Sequence, residues 1–136
     1  MARLTMGTLD FDAVAKLGLA LPDVVESTAY GAPALKSKGK LLACVPSNRS
    51  AEPGSIVVHI DPEQRAELLR QQPAIYYITD HYAPYPTVLV RLSRITRTDL
   101  AALLRDAYRF VKRPAPRSLI DKKGGRAASR KLPGKL

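Results

Sequence analysis

From Thr87 the chain alternates: Val88, Val90 and Leu92 point one way while Thr87, Leu89, Arg91 and Ser93 point the other, the period-two signature of a strand with one core face and one mostly wet face. The preceding loop is stiff. Pro84 and Pro86 fix φ and remove backbone donors, so strand pairing begins only after Pro86. Ser55 to Ile60 repeats the pattern, with Ile56, Val58 and Ile60 on one face and Ser55, Val57 and His59 on the other. Ala34 to Val45 predicts a hairpin whose S-K-G-K turn uses Gly39 for the positive φ that a tight turn demands. Short strands are expected around Glu26 to Tyr30, before the breakers Gly31 and Pro33, and at Ile75 to Ile78.

The helices announce themselves by caps and stripes. Asp10 caps a first helix with Phe11, Val14, Leu17 and Leu21 on one stripe, ended by Pro22 and weakened by Gly18. Asp61-Pro62-Glu63-Gln64 places a capping acid, a proline at the first helical position and a glutamine able to reach back to the cap amide. That helix should carry Ala66 and Leu69 inward and stop before Pro73. A long helix starts at Thr96 or Thr98, with Leu100, Leu103, Leu104, Ala107, Tyr108 and Val111 at helical spacing. The order of elements predicts an α+β domain: a mainly antiparallel sheet with helices packed on one face.

Composition changes this picture at one place. Apolar residues at 46% and charged residues at 25% of 136 are ordinary globular values, enough for one core. The net charge of +10, however, is uneven: residues 112–136 hold 9 Lys/Arg against Asp121, or +8, and residues 1–111 hold 13 against 11, or +2. Two parts follow, a domain over residues 1–113 and a basic tail over 114–136 whose Lys, Arg, Gly, Ser and Ala cannot bury a core and predict a flexible segment. A single cysteine, Cys44, excludes an internal disulfide and, in the apolar run L-L-A-C-V, reads as a core filler. Without a leader-like apolar run at residues 1–9 or a stretch of membrane-spanning length, the expectation is a cytoplasmic protein with no membrane partner.

Candidate chemistry divides among three regions. Lys36, Lys38 and Lys40, on alternate residues of a hairpin tip, suit a wing that contacts phosphates, although such lysines also protect sheet edges. Arg91, Arg94 and Arg97 extend that surface unless the acidic residues of the domain pair with them. In the tail, Lys122, Lys123, Arg126, Arg130, Lys131 and Lys135 match a polycation that binds phosphates without reading sequence. The third region is the loop carrying Asp80, His81, Tyr82 and Tyr85, where a histidine titrating near neutrality and two tyrosines predict, as the alternative, a small-molecule or protein-partner pocket. His59 stands alone on its strand face. No nucleophile elbow, phosphate loop, dinucleotide fingerprint or paired Cys/His spacing occurs, so neither an enzyme nor a metal or other cofactor is expected.

Several segments together, L-P-D-V-V-E-S at Leu21 to Ser27, G-K-L-L-A at Gly39 to Ala43, D-P-E-Q-R-A-E-L-L at Asp61 to Leu69, H-Y-A-P-Y-P-T-V-L-V-R-L at His81 to Leu92 and the closing D-L-A-A-L-L-R-D-A-Y-R-F-V, resemble the MmcQ/YjbR family. The resemblance spans nearly all of the domain, in order, and omits the tail. It implies a double-wing, frataxin-like (CyaY-like) fold and a non-enzymatic DNA-binding role, with no catalytic motif. Combined with the basic tail, it leads to an expectation of weak, salt-dependent, largely sequence-independent DNA binding.

Overall fold

The computed structural model describes residues 9–113. Helix α1 (Phe11–Leu19) starts where expected, its Asp10 carboxylate accepting from Ala13 N at 3.1 Å. Strands β1 (Val24–Ala29), β2 (Ala32–Ser37), β3 (Lys40–Cys44) and β4 (Ser55–His59) follow, then α2 (Pro62–Gln71), β5 (Tyr76–Tyr77), β6 (Thr87–Arg91) and α3 (Arg97–Lys112). The six strands form one sheet in the order β1-β2-β3-β4-β6-β5, with every neighbouring pair antiparallel. The domain is thus α+β, with the three helices against one sheet face.

Two tight turns set the register of the first three strands. Lys38 and Gly39 have φ of 48° and 83°, the double positive φ of the primed hairpin turn, which follows the twist of the strands. Tyr30 and Gly31 repeat it at 54° and 79°, so Gly31 joins β1 to β2 and does not merely break a strand. Pro33 is tolerated as the second residue of β2. Its carbonyl accepts from Val45 N at 3.0 Å, and only the reciprocal bond at the strand's end is lost. Leu35 pairs with Ala43 and Lys36 with Leu41, which makes Leu42 an extra residue; Leu42 and Ala43 both join the helix-side core.

That core gathers Val14, Leu35, Leu42, Ile56, Val58, Val88 and Val90 under Leu100, Leu103, Leu104 and Ala107 of α3. Gly18 permits the closest approach: a Cβ there would lie 2.5 Å from Leu35 Cδ1, whose side chain is wholly buried. The glycine that weakens α1 as a helix is therefore what lets α1 lie on β2. Helix α2 packs more lightly than its apolar positions suggest, since Ala66 is exposed and only Leu68 and Leu69, half-buried, reach the core. Its Gln64 does not turn back to the cap but donates to Asp106 Oδ2 of α3 at 2.7 Å, while Asp61 accepts from Glu63 N at 2.8 Å.

The opposite sheet face is not wet. Ala34, Cys44, Val57 and Leu89 are buried there beneath Tyr82, in a second apolar cluster to which Tyr77 and Tyr85 add partial cover. Thr87, on the same face of β6, is also fully buried and donates from its hydroxyl to Tyr82 O at 3.2 Å. The loop from Ile78 to Pro86 folds over the sheet, so β6 is apolar on both sides.

Candidate functional site

The ladder between β3 and β4 has two pairs, Ala43 with Val58 and Cys44 with Val57. Past Ala43 and Val58, Leu41 from β3 and His59 from β4 line a cavity of about 580 Å³, together with Lys36, Lys40, Thr28, Ala29 and Tyr30. Val111, in the last turn of α3, completes the wall. Two of the three hairpin lysines thus converge on one hollow. Lys38, at the turn itself, lies 3.8 Å from Asp23 in a pair of largely exposed side chains, which contributes little.

His59 is the residue of this site that sequence reasoning set aside. Burial pushes its imidazole down to about 4, so the ring is neutral at physiological pH. Nδ1 is sealed from solvent and pairs with no atom, which leaves Nε2 as the ring nitrogen that can serve a ligand. The depressed value has a stability consequence. Between pH 6.5 and 4 the unfolded chain binds a proton at His59 that the folded chain refuses, so stability is complete above 6.5 and is lost as pH falls through that window. At pH 5 the loss should be about 2 kcal/mol. Urea unfolding at pH 7 and pH 5 checks it: His59→Asn should flatten most of the difference, and an unchanged slope in the variant would refute the assignment.

The remaining predicted residues are placed as follows. Arg91 is committed to the fold: its Nε and Nη2 donate to Glu52 at 2.9 Å each, Nη1 donates to the carbonyls of Pro73 and Ala74, and the guanidinium sits 4.3 Å from the Tyr77 ring centroid. The Arg91 hydrogen bonds in turn hold the Glu52 carboxyl below its usual value. Arg94 and Arg97 are exposed and make no ion pair among the described residues. Lys122, Lys123, Arg126, Arg130, Lys131 and Lys135 lie outside the described residues.

The Asp80 to Tyr85 loop is filled from within. Tyr82 is 1% exposed and its hydroxyl accepts from Asn48 N at 3.3 Å. His81 meets the Tyr82 ring edge-on at 4.7 Å, and its Nε2 is buried without a partner. Asp80 is exposed and Tyr85 half-buried, and neither the 580 Å³ hollow nor a second one of about 650 Å³ under the Val45 to Ser55 loop is lined by any of the four. What organises this loop is Arg65, which sequence reasoning passed over. Its Nη1 donates to Tyr85 O and Thr87 O at 2.8 and 2.9 Å, and Nη2 to Ala83 O at 3.2 Å. The signal for it was indirect: two prolines in one loop supply no amides, which leaves the loop short of backbone donors.

Burial raises the Cys44 thiol to about 11, against a smaller opposing pull from the Lys36 charge, so it stays protonated and inert. No cluster of three or more His, Cys, Asp or Glu suited to a metal occurs among the described residues, and no helix among them is long and apolar enough to cross a membrane.

Known proteins place this geometry. The crystal structure of Deinococcus radiodurans protein DR2400, described as a DUF419 domain, superposes with a TM-score of 0.60 at 24% identity, covering 96% of this chain and 94% of that one, and shares the fold. The uncharacterized proteins Rv2570 of Mycobacterium tuberculosis and Mb2600 of Mycobacterium bovis are each 38% identical over 53 residues. That match spans 39% of this chain and 39% of the length of either relative. The YjbR family's sequence profile matches residues 19–110, from the end of α1 to the last turns of α3, and the chain belongs to the YjbR family.

Proposed function

We propose that this chain binds DNA weakly and without strong sequence preference, through phosphate contacts from the Lys36 to Lys40 hairpin and from the basic segment that follows α3. One observation carries the reading: Val111 shares a cavity wall with Lys36 and Lys40, so the chain leaves α3 beside the hairpin cations. From that point residues 112–136 add a charge of +8, from 9 Lys/Arg against 1 acidic residue. A polycationic segment that begins next to Lys36 and Lys40 makes a continuous footprint for phosphate backbones. Arg94 and Arg97 lie at the opposite end of α3 from Val111 and outside this footprint, and Arg91 is occupied by Glu52. Among the described residues of this footprint no group is paired as nucleophile and base, and the reading is one of binding.

The test is a titration of labelled duplex DNA with the full-length protein over a salt series, using two unrelated sequences. Six phosphate contacts from the tail contribute about −5 to the slope of log K against log salt and the two hairpin lysines about −2, similar for both duplexes. Binding that is undetectable at low salt, or insensitive to salt, would end the proposal.

A further inference from the structure

The hollow between β3 and β4 has a chemistry that phosphate backbones do not need. Backbone contacts call for exposed cations, and Lys40 alone would serve. Here the cations edge a cavity of about 580 Å³, a volume in the range of small-molecule sites, whose walls include the apolar side chains of Ala29, Leu41 and Val111. His59 adds a neutral imidazole with one nitrogen free to donate to a ligand. We infer that this cavity binds a small organic anion, a phosphate or carboxylate on a flat apolar body, with Lys36 and Lys40 holding the anionic group and Leu41 and Val111 covering the body.

The arrangement explains each feature by one occupant. The two ammonium groups supply charge-assisted hydrogen bonds to an anionic oxygen. A neutral histidine donates one further bond without adding charge, so the site favours an anion of low charge over a polyphosphate. The apolar wall releases water when covered, a gain that a bare inorganic anion cannot collect. None of this rests on DNA binding, because the probes carry no nucleic acid.

The chain has two histidines, His59 and His81, so its imidazole carbon resonances are few and can be assigned with His59→Gln. Phenyl phosphate and benzoate are titrated into the full-length protein while the His59 ring signal is followed, beside inorganic phosphate and benzyl alcohol as controls. A saturable shift of His59 with phenyl phosphate or benzoate is expected, and whichever binds tighter identifies the preferred anionic group. Inorganic phosphate and benzyl alcohol, each lacking half of the recognition, should bind at least about tenfold more weakly. The double variant Lys36→Met, Lys40→Met should weaken the aromatic anion by about tenfold with unchanged unfolding midpoint. A His59 signal unmoved into the millimolar range overturns the inference; so do equal affinity for inorganic phosphate and full affinity in the double-methionine variant.

Discussion

A chain ending at Arg113 should bind duplex DNA at least about a hundredfold more weakly than the full-length protein at low salt, with the salt slope falling from about −7 to about −2. Residues 114–136 hold 7 Lys/Arg against Asp121, a net of +6, and residues 1–113 hold 15 against 11, a net of +4. Five of the 15 domain cations are already engaged. Arg91 is paired with Glu52, Arg113 with Asp61, Arg70 with Glu67 and Arg109 with Asp106, and Arg65 is spent on backbone carbonyls. At the hairpin, beside the start of the tail, the domain offers a phosphate Lys36 and Lys40, worth a slope of about −2. The shortened chain keeps every core side chain of the described residues and the Arg113 to Asp61 contact, so an unchanged circular dichroism melt should accompany the loss. Equal slopes for the two chains would show that the tail makes no phosphate contacts. Charge reversal at Lys36 and Lys40 in the full-length protein is the complementary variant, expected to lower the slope by about 2 and leave the tail's share.

The architecture was legible where a local rule decides it. Asp10 and Thr96 mark their helices because capping needs only neighbouring amides. The turn at Lys38-Gly39 is likewise local. Burial of the second sheet face was hidden, because Leu89 and Arg91 alternate as if facing water while their cover comes from Tyr77 on the two-residue strand β5 and Tyr82 in the loop after it, whose path no periodicity encodes. Gln64 misled for a similar reason: the cap amide was one partner within reach, but Asp106 of α3 is the one it meets. The site was half legible. Lys36 and Lys40 stood out by spacing, whereas His59 and Val111 join them only because the β3 to β4 ladder stops after Val58 and α3 ends beneath it. Backbone acceptors have no residue identity, so the three carbonyls gripped by Arg65 left little trace in the sequence.

Arg65→Met should cost about 3 kcal/mol of unfolding free energy, within a range of about 2 to 4, read from urea titrations at pH 7. Methionine keeps most of the apolar stem and removes the guanidinium, so the loss reports the hydrogen bonds and not a cavity. The carbonyls of Ala83 and Thr87 lose the Arg65 donor, Tyr85 O is left with its bond from Thr87 N at 2.8 Å, and Pro84 and Pro86 contribute no amide that could replace the guanidinium. Bonds to a charged donor are worth about 1.5–3 kcal/mol each, but water reaches the more exposed carbonyls once the arginine is gone, which keeps the total below the sum. The effect spreads because this loop seats Tyr82 and Thr87, 1% and 0% exposed, over the second apolar cluster. Arg65→Lys should recover under half of the loss, since one ammonium cannot span three acceptors held by a planar fork. Tyr82→Phe, which removes the acceptor for Asn48 N at 3.3 Å and leaves the ring in place, should cost under about 1 kcal/mol. A loss below about 1 kcal/mol in Arg65→Met would mean that the prolines alone fix the loop. Because Arg65 lies outside the Lys36, Lys40 and Val111 wall, the folded variant should retain its DNA affinity, which separates the residue that shapes the loop from those that meet the phosphate.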